Sequence, residues 1–569
     1  MNKMHILRSA LSSSVVIFLS VVTGAFMAIL ASAFVNGSKL VAGFWTSGVV
    51  PVSLIFFDAS VPLAVVGLAL AAIIIYLLRR LFSLDRFHGP ADGIYAAHLT
   101  KSNIDLTKSL QSTLIAFVSI AGGAPVGQYG PLVHLGATVG SGFHKFLAIT
   151  KTSSDLWIGC GVAAAIAAGF QAPIAGVVFA HEAVLRHLSF RAITPILIAS
   201  ITSYALTKYW LNLEPLFYMD FPDVELLWSI PFLLIGGVFF GFVAVLFMRG
   251  LFLFTSIGKK IESQIFISLS IALIVCTSIG IIFPAILGFG SATINSIFIG
   301  GLTMGSLLAI VVGKLLASSV AVGFGMYGGV FAPALFLGAS TGGFLTKVFD
   351  IFGFVMPTHL LPIAGMASVA ACVVGAPLSM VIIILELTLS YELAVIAMVS
   401  TAVSIQVASL SFNHSFFDEQ LVRRGINLLA GRTELQLSHM DITSVLAHDY
   451  VTAAPTDSIE TGIAALKNSG KSEGYCVDDA NKFLGKFLLV DILGADDQLQ
   501  LVKFCVPDPI VLSEKDSVLD AVNIATDFIG ESMPVVSTDN GCLLGVIAEA
   551  DIFRAYTSVQ KQTSKIEHN

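Results

Sequence analysis

Long stretches of this chain contain no Asp, Glu, Lys or Arg. They run between Arg8 and Lys39, Asp58 and Arg79, Lys108 and Lys145, Glu225 and Arg249, Glu262 and Lys314, and Glu392 and Asp418. Each leaves at least about 20 uncharged residues, the length a helix needs to cross a bilayer. Charged residues make up 12% of the 569-residue chain, against about 25% in an ordinary soluble domain. A soluble enzyme, a disulfide scaffold and a disordered chain are thereby excluded. So is a β-barrel, whose strands would show about ten residues of alternating polarity.

Charge also divides the chain. Residues 1–439 carry 21 Lys+Arg and 17 Asp+Glu, whereas residues 440–569 carry 9 and 20. A polytopic membrane domain is therefore expected over 1–432, followed by a water-soluble acidic tail. The tail's charge disfavours nucleic acid as a partner. Cys160, Cys276, Cys372, Cys476, Cys505 and Cys542 are scattered without a CxxC pair, and read as thiols in a reducing compartment. No metal-ligand spacing is present. The first uncharged run is too long for a signal-peptide core and reads as a membrane helix.

The membrane domain repeats itself. Pro131-Leu132-Val133-His134-Leu135-Gly136-Ala137 recurs as Pro333-Ala334-Leu335-Phe336-Leu337-Gly338-Ala339. Gly161 through Ala172-Pro173 to Glu182 recurs as Gly365 through Ala376-Pro377 to Glu386. Each half breaks an apolar segment with Gly and then Pro: Gly122-Gly123-Ala124-Pro125-Val126-Gly127, and Gly323 to Pro333. Broken backbone at membrane depth is tolerated where it lines a cavity. A helix starting at such a proline points its positive end into that cavity. Two repeat-related starts make an anion site near the midplane. The competing reading, glycines for tight helix packing, does not account for the prolines. Glu182 and Glu386 are the acidic residues within long apolar runs, and a cation pore would need more.

These residues resemble the CLC family of chloride channels and anion/proton exchangers. The family's G-x-F-x-P motif is present as Gly329-Val330-Phe331-Ala332-Pro333, and its G-K/R-E-G-P motif is matched by Gly127-Gln128-Tyr129-Gly130-Pro131. The stretch Phe170-Gln171-Ala172-Pro173-Ile174-Ala175-Gly176 is also similar. The resemblance implies a polytopic α-helical fold of two inverted repeats with tilted, partial helices. It also implies a homodimer in lipid with one pathway per subunit for chloride or a similar small anion, and no enzymatic reaction. The implied pathway residues are Gln128, Tyr129, Gly130, His88, Gly89, Val330, Phe331, Ala332 and Phe417.

Function then turns on departures from the pattern. Tyr129 replaces the family's gating glutamate. A phenol ionises near pH 10, so Tyr129 can plug a path and donate a hydrogen bond but cannot shuttle protons as a carboxylate does. Ala183 aligns with the exchangers' inner proton glutamate. Its neighbours Glu182 and His181 are candidate substitute relays, and Glu182 also matches a glutamate the family keeps for structure. In Phe87-His88-Gly89-Pro90-Ala91-Asp92, His88 aligns with the anion-coordinating serine and Ala91 with the motif's proline. An imidazole there can donate to an anion and respond to pH; an ordinary loop histidine is the alternative. Phe417 keeps a tyrosine's bulk and loses its donor. Gated passive conduction is the expectation, with exchange through substitute proton carriers the alternative.

The tail resembles a CBS pair, with CBS 1 over 440–498 and CBS 2 over 499–560. Its units end in Gly485-Lys486-Phe487-Leu488-Leu489-Val490-Asp491 and Gly545-Val546-Ile547-Ala548-Glu549-Ala550-Asp551. Such pairs bind adenine nucleotides, and Asp491 and Asp551 could hold a ribose. Leu488 and Ala548 stand where a hydroxyl would contact phosphate, so a structural tail without cofactor is the leading expectation. A zinc protease is disfavoured because His181-Glu182 is followed by His187 at the wrong helical angle. A magnesium transporter would need pore carboxylates. Basic loops (Arg79, Arg80, Arg86, Lys259, Lys260, Arg423, Arg424, Arg432) mark the cytoplasmic side. They predict a bacterial inner-membrane protein with both termini cytoplasmic.

Overall fold

The computed structural model describes residues 3–46, 49–54, 57–84, 86–99, 104–146, 153–214, 225–261, 263–288, 290–412, 414–506 and 509–568. The extreme termini, on which the expected sidedness bears, lie outside the described residues. The chain forms two compact units, Met1–Ile426 and Asn427–Asn569.

The first unit opens with α1 (Lys3–Thr46), a β1–β2 hairpin (Val49–Leu54, Phe57–Pro62), α2 (Leu63–Phe82) and the short α3 (Pro90–His98). A repeating series follows. Helices α4 (Leu106–Ala121), α5 (Tyr129–Phe146), α6 (Ser154–Phe170), α7 (Pro173–Phe179) and α8 (Phe190–Tyr209) come first. After α9 (Leu226–Lys260), α10 (Ile265–Ile282) and α11 (Ser291–Phe298), the same order returns. It does so as α12 (Met304–Gly323), α13 (Phe331–Ile351), α14 (Leu360–Val374), α15 (Pro377–Thr388) and α16 (Tyr391–Ser411); α17 (Phe416–Val422) closes the unit. Among the described residues, 7 helices are long and apolar enough to cross a membrane, and several shorter apolar ones accompany them. The protein is a multi-pass membrane protein.

The repeat is visible as packing. In one half a Cβ at Gly136 or Gly140 would collide with the carbonyls of Gly161 or Trp157. In the other, Gly338 and Gly342 press equally against the carbonyls of Gly365 and Leu361. Small residues let α5 cross α6, and α13 cross α14, at backbone contact. Every residue of α14, and every residue of α6 but Leu156, is buried. Both end on a left-handed residue, Gln171 (φ 56°) and Gly375 (φ 78°), before the Ala-Pro pair that starts the next helix. Gln171 tolerates that conformation with its amide donating to Ala168 O and Thr207 Oγ1. Hydroxyls in the apolar helices donate back to the preceding turn, as from Thr138 to His134 O and Ser340 to Phe336 O. This removes the cost of a lone polar group in an apolar medium.

The second unit holds α18 (Arg432–Ser438) and two modules of one topology. In the first, β3 (Val451–Ala453) runs parallel to β4 (Glu473–Val477), which pairs antiparallel with β5 (Phe483–Leu488). Helices α19 (Ile459–Ser469) and α20 (Leu489–Ile492) accompany this sheet. In the second, β6 (Leu512–Ser513), β7 (Ser532–Val536) and β8 (Leu543–Ala548) pair the same way, with α21 (Val518–Ala525) and α22 (Glu549–His568). The expected division at 498/499 separates the two strand sets, and flanking segments cross it. Leu501 lies in the first module's core and Val506 bonds Lys486 O. Conversely Ile442 lies in the second module's core and Ala447 pairs with Val546. Each module borrows its neighbour's flanking segment, which strand patterns alone do not reveal.

Candidate functional site

The two Gly-Pro breaks meet. Gly127 and Gly329 exchange backbone hydrogen bonds of 2.6 and 2.7 Å, an antiparallel bridge between the repeat-related loops. A Cβ at Gly130 would lie 2.7 Å from Gly329 Cα, and one at Gly127 would lie 2.9 Å from Ala332 N. Only glycines allow this approach. The starts of α5 and α13 are therefore held side by side, with Gln128, Tyr129 and Gly130 on one and Val330, Phe331 and Ala332 on the other. Each start presents N–H groups without intrahelical partners.

Tyr129 is 2% exposed. Its ring stacks on Phe170 at a centroid separation of 3.8 Å and meets Phe331 edge-on at 5.8 Å. Phe179 joins at 6.4 Å from Phe331. The position that carries the family's glutamate is thus the centre of an aromatic cluster. The Gln128 side chain approaches the Tyr129 hydroxyl, and its own Oε1 has no partner among the described residues. Phe170 and Phe179 were not foreseen from the sequence. The repeat block carrying Phe170 was the signal available for it.

The α3 start completes the junction. Gly89 is its N-cap and Pro90 its first residue. The helix-starting proline is therefore Pro90; Ala91, aligned with the motif's proline, sits one position inside. Pro90 packs close to the Gly130 backbone, so the His88-Gly89 loop is brought beside α5. His88 donates its backbone N–H to Ser112 Oγ at 3.2 Å. Burial, and after it the Arg86 guanidinium, hold its imidazole below the ordinary range, so the ring is neutral at pH 7. Asp92 accepts from Gly89 N and binds Arg86 at 2.6 Å and Arg424 at 3.0 Å. That ties the α3 start to the end of α17. Phe417, on α17, is 5% exposed and meets Phe416 at 5.8 Å. A cavity of about 210 Å3 opens beside Phe87 and Gly328, lined by the cations of Arg79, Arg86, Lys259, Arg423 and Arg424.

Glu182, a candidate relay that also matches a glutamate kept for structure, caps a helix. Its carboxylate accepts from Leu378 N (2.9 Å), Ser379 N (2.8 Å) and Ser379 Oγ (2.6 Å) at the start of α15. Glu386 accepts from Ile174 N and Ala175 N at the start of α7. The repeat mates cap each other's helix, the favourable place for a negative charge. His181 lies in the π-helical turn Ala180–Leu185 that extends α7, with Nδ1 2.9 Å from Val177 O. Its Nε2 has no partner among the described residues.

In the second unit Asp491 is exposed on α20. Asp551 accepts from Ala548 N at 3.1 Å and pairs with Arg554 at 3.0 Å. These carboxylates start corresponding helices of the two modules. Among the described residues no cluster of metal ligands occurs.

The Voltage gated chloride channel family model matches residues 70–409, and the CBS domain model matches residues 502–558. The first covers more than half of the chain, which belongs to that family and carries a CBS pair at its C-terminal end. The chloride channel protein CLC-f of Arabidopsis thaliana is 25% identical over 474 residues, 79% of this chain and 57% of that protein. This chain thus spans little more than half of that relative's length. A slow cyanobacterial Cl−/H+ antiporter has a similar structure (TM-score 0.63, 20% identity, 72% of this chain and 97% of that one). A eukaryotic CLC transporter matches with TM-score 0.60 at 16% identity, over 97% of this chain and 99% of that one. At such identities the structures establish the fold.

Proposed function

We propose that the protein carries chloride or a similar small anion across a membrane. The path runs past the α5–α13 junction, one in each subunit of a homodimer, by gated passive conduction. Membership of the chloride channel family supports the substrate class. The paired helix starts, with their N–H groups, supply a site for negative charge without a metal ion. The cationic cavity beside Phe87 and Gly328 concentrates anions at its mouth. The basic loops support a cytoplasmic side for that mouth, and the proposed location is a bacterial inner membrane. The CBS pair acts as a structural tail, because Leu488 and Ala548 offer no hydroxyl to a nucleotide phosphate.

Tyr129 carries the choice of passive conduction. It is a neutral, stacked phenol at the gating position, and Ala183 cannot relay a proton. Glu182, the nearest carboxylate, is engaged by three donors. A second reading, anion/proton exchange, draws on His181, whose Nε2 is unpartnered, and on the antiporter named above. Purified protein in liposomes separates the two. Chloride efflux without proton movement is expected; uphill proton transport driven by a chloride gradient would establish exchange.

A further inference from the structure

We propose that His134 is a direct ligand of the transported anion, donating a ring N–H to it beside the α3 start. The inference rests on reading the α5–α13 junction as an anion pathway.

His134 follows Tyr129 on α5. Two close approaches define the face it occupies: a Cβ at Gly130 would lie 3.8 Å from Pro90 Cγ, and one at Gly93 would lie 2.8 Å from Ala137 Cβ. Positions 130, 134 and 137 share one side of a helix, so this side lies on the first turn of α3. The imidazole is 1% exposed. Neither ring nitrogen has a hydrogen-bond partner among the described residues. The ring faces the Gly89 carbonyl outside hydrogen-bond geometry, and His88, Asp92 and Arg86 are its charged or titratable neighbours.

An imidazole always carries at least one N–H donor. Buried histidines normally satisfy it with a carbonyl, carboxylate or water, and an unpaired one is costly. Here the donor is kept unpaired next to a helix start, and the strongest charge beside it, the Asp92 carboxylate, is itself paired with the guanidiniums of Arg86 and Arg424. The helix start and the unpaired N–H favour a small monovalent anion, and the two guanidiniums offset the carboxylate that would otherwise repel it. Such an ion would accept the idle N–H, and the enclosed setting selects against a large or strongly hydrated one.

The experiment uses the full-length protein. Chloride binding is measured by calorimetry in detergent, and chloride and nitrate flux in liposomes, for the parent, His134→Leu and His134→Gln. Leucine is expected to weaken chloride binding about tenfold or more, the loss of one hydrogen bond to a charge, and to alter the chloride-to-nitrate flux ratio. Glutamine, which restores a donor, should bring binding back to within about threefold of the parent. Leucine binding chloride as the parent does would overturn the proposal. So would failure of glutamine to rescue. Should the leucine variant not fold, crystals of the parent soaked in bromide decide. An anomalous peak within hydrogen-bonding distance of a His134 ring nitrogen supports the assignment, and bromide only elsewhere overturns it. Absence of anion flux in the parent would instead sink the pathway reading itself.

Discussion

Replacing one side chain changes what the junction can do. A glutamate at position 129 could leave the path as an anion and return as a neutral acid. A tyrosine there stays neutral and is held by stacking on Phe170 and an edge contact with Phe331. Aromatic contacts of this kind contribute about 0.5–1.5 kcal/mol each beyond burial. That is a barrier thermal motion crosses readily, which suits a plug that swings aside. Tyr129→Ala is expected to raise chloride flux several-fold in liposomes, while Tyr129→Phe, which keeps the stack, should stay near the parent. Equal flux in all three would make Tyr129 a packing residue. The motif made position 129 legible from the sequence. Its stacking partner was not, because Phe170 ends α6, a helix whose crossing with α5 is decided by packing.

Between elements, the exchanged caps are the main device. Glu182 extends from the turn after α7 to the α15 start 196 residues later, and Glu386 extends from α15 to the α7 start. Each helix thus supplies the other's counter-charge, and α7 and α15 are locked as a pair. Glu182→Gln keeps the shape and removes the charge. It should cost about 1–2 kcal/mol, the size of a cap and dipole contribution, and lower the melting temperature in detergent. The same variant should leave proton coupling unchanged in the flux assay. A variant that melts like the parent but moves protons differently would return Glu182 to the relay role. Repetition in the sequence paired the two glutamates; it did not say that each serves the other's helix.

Across the molecule, the acidic tail has its own cores and its own internal lock. Glu473 on β4 and Lys486 on β5 form a pair 2.6 Å apart whose side chains are 5% and 8% exposed. Glu473 also accepts from Glu531 N and Ser532 N, and Lys486 donates to Ser532 O. The pair therefore joins the two CBS modules. Glu473→Ala leaves a buried ammonium uncompensated, expected to cost about 3–5 kcal/mol. Denaturant unfolding followed by tail-specific fluorescence would detect it. The double variant Glu473→Met/Lys486→Met should recover most of the loss, since no charge then remains to be desolvated.

Composition and spacing were enough to establish the membrane location, the two related halves, the glycine-proline helix starts and the acidic two-module tail. Those properties follow from local free energies: the cost of charge in hydrocarbon, the φ restriction of proline, and the free approach a missing Cβ allows. Tertiary structure alone decided which pieces meet. It set the aromatic stack on Tyr129, the crossed caps, the exchanged flanks of the CBS modules and the idle imidazole of His134. Each joins groups far apart in the chain, and their pairing depends on how helices and sheets pack, which the local pattern of residues does not encode.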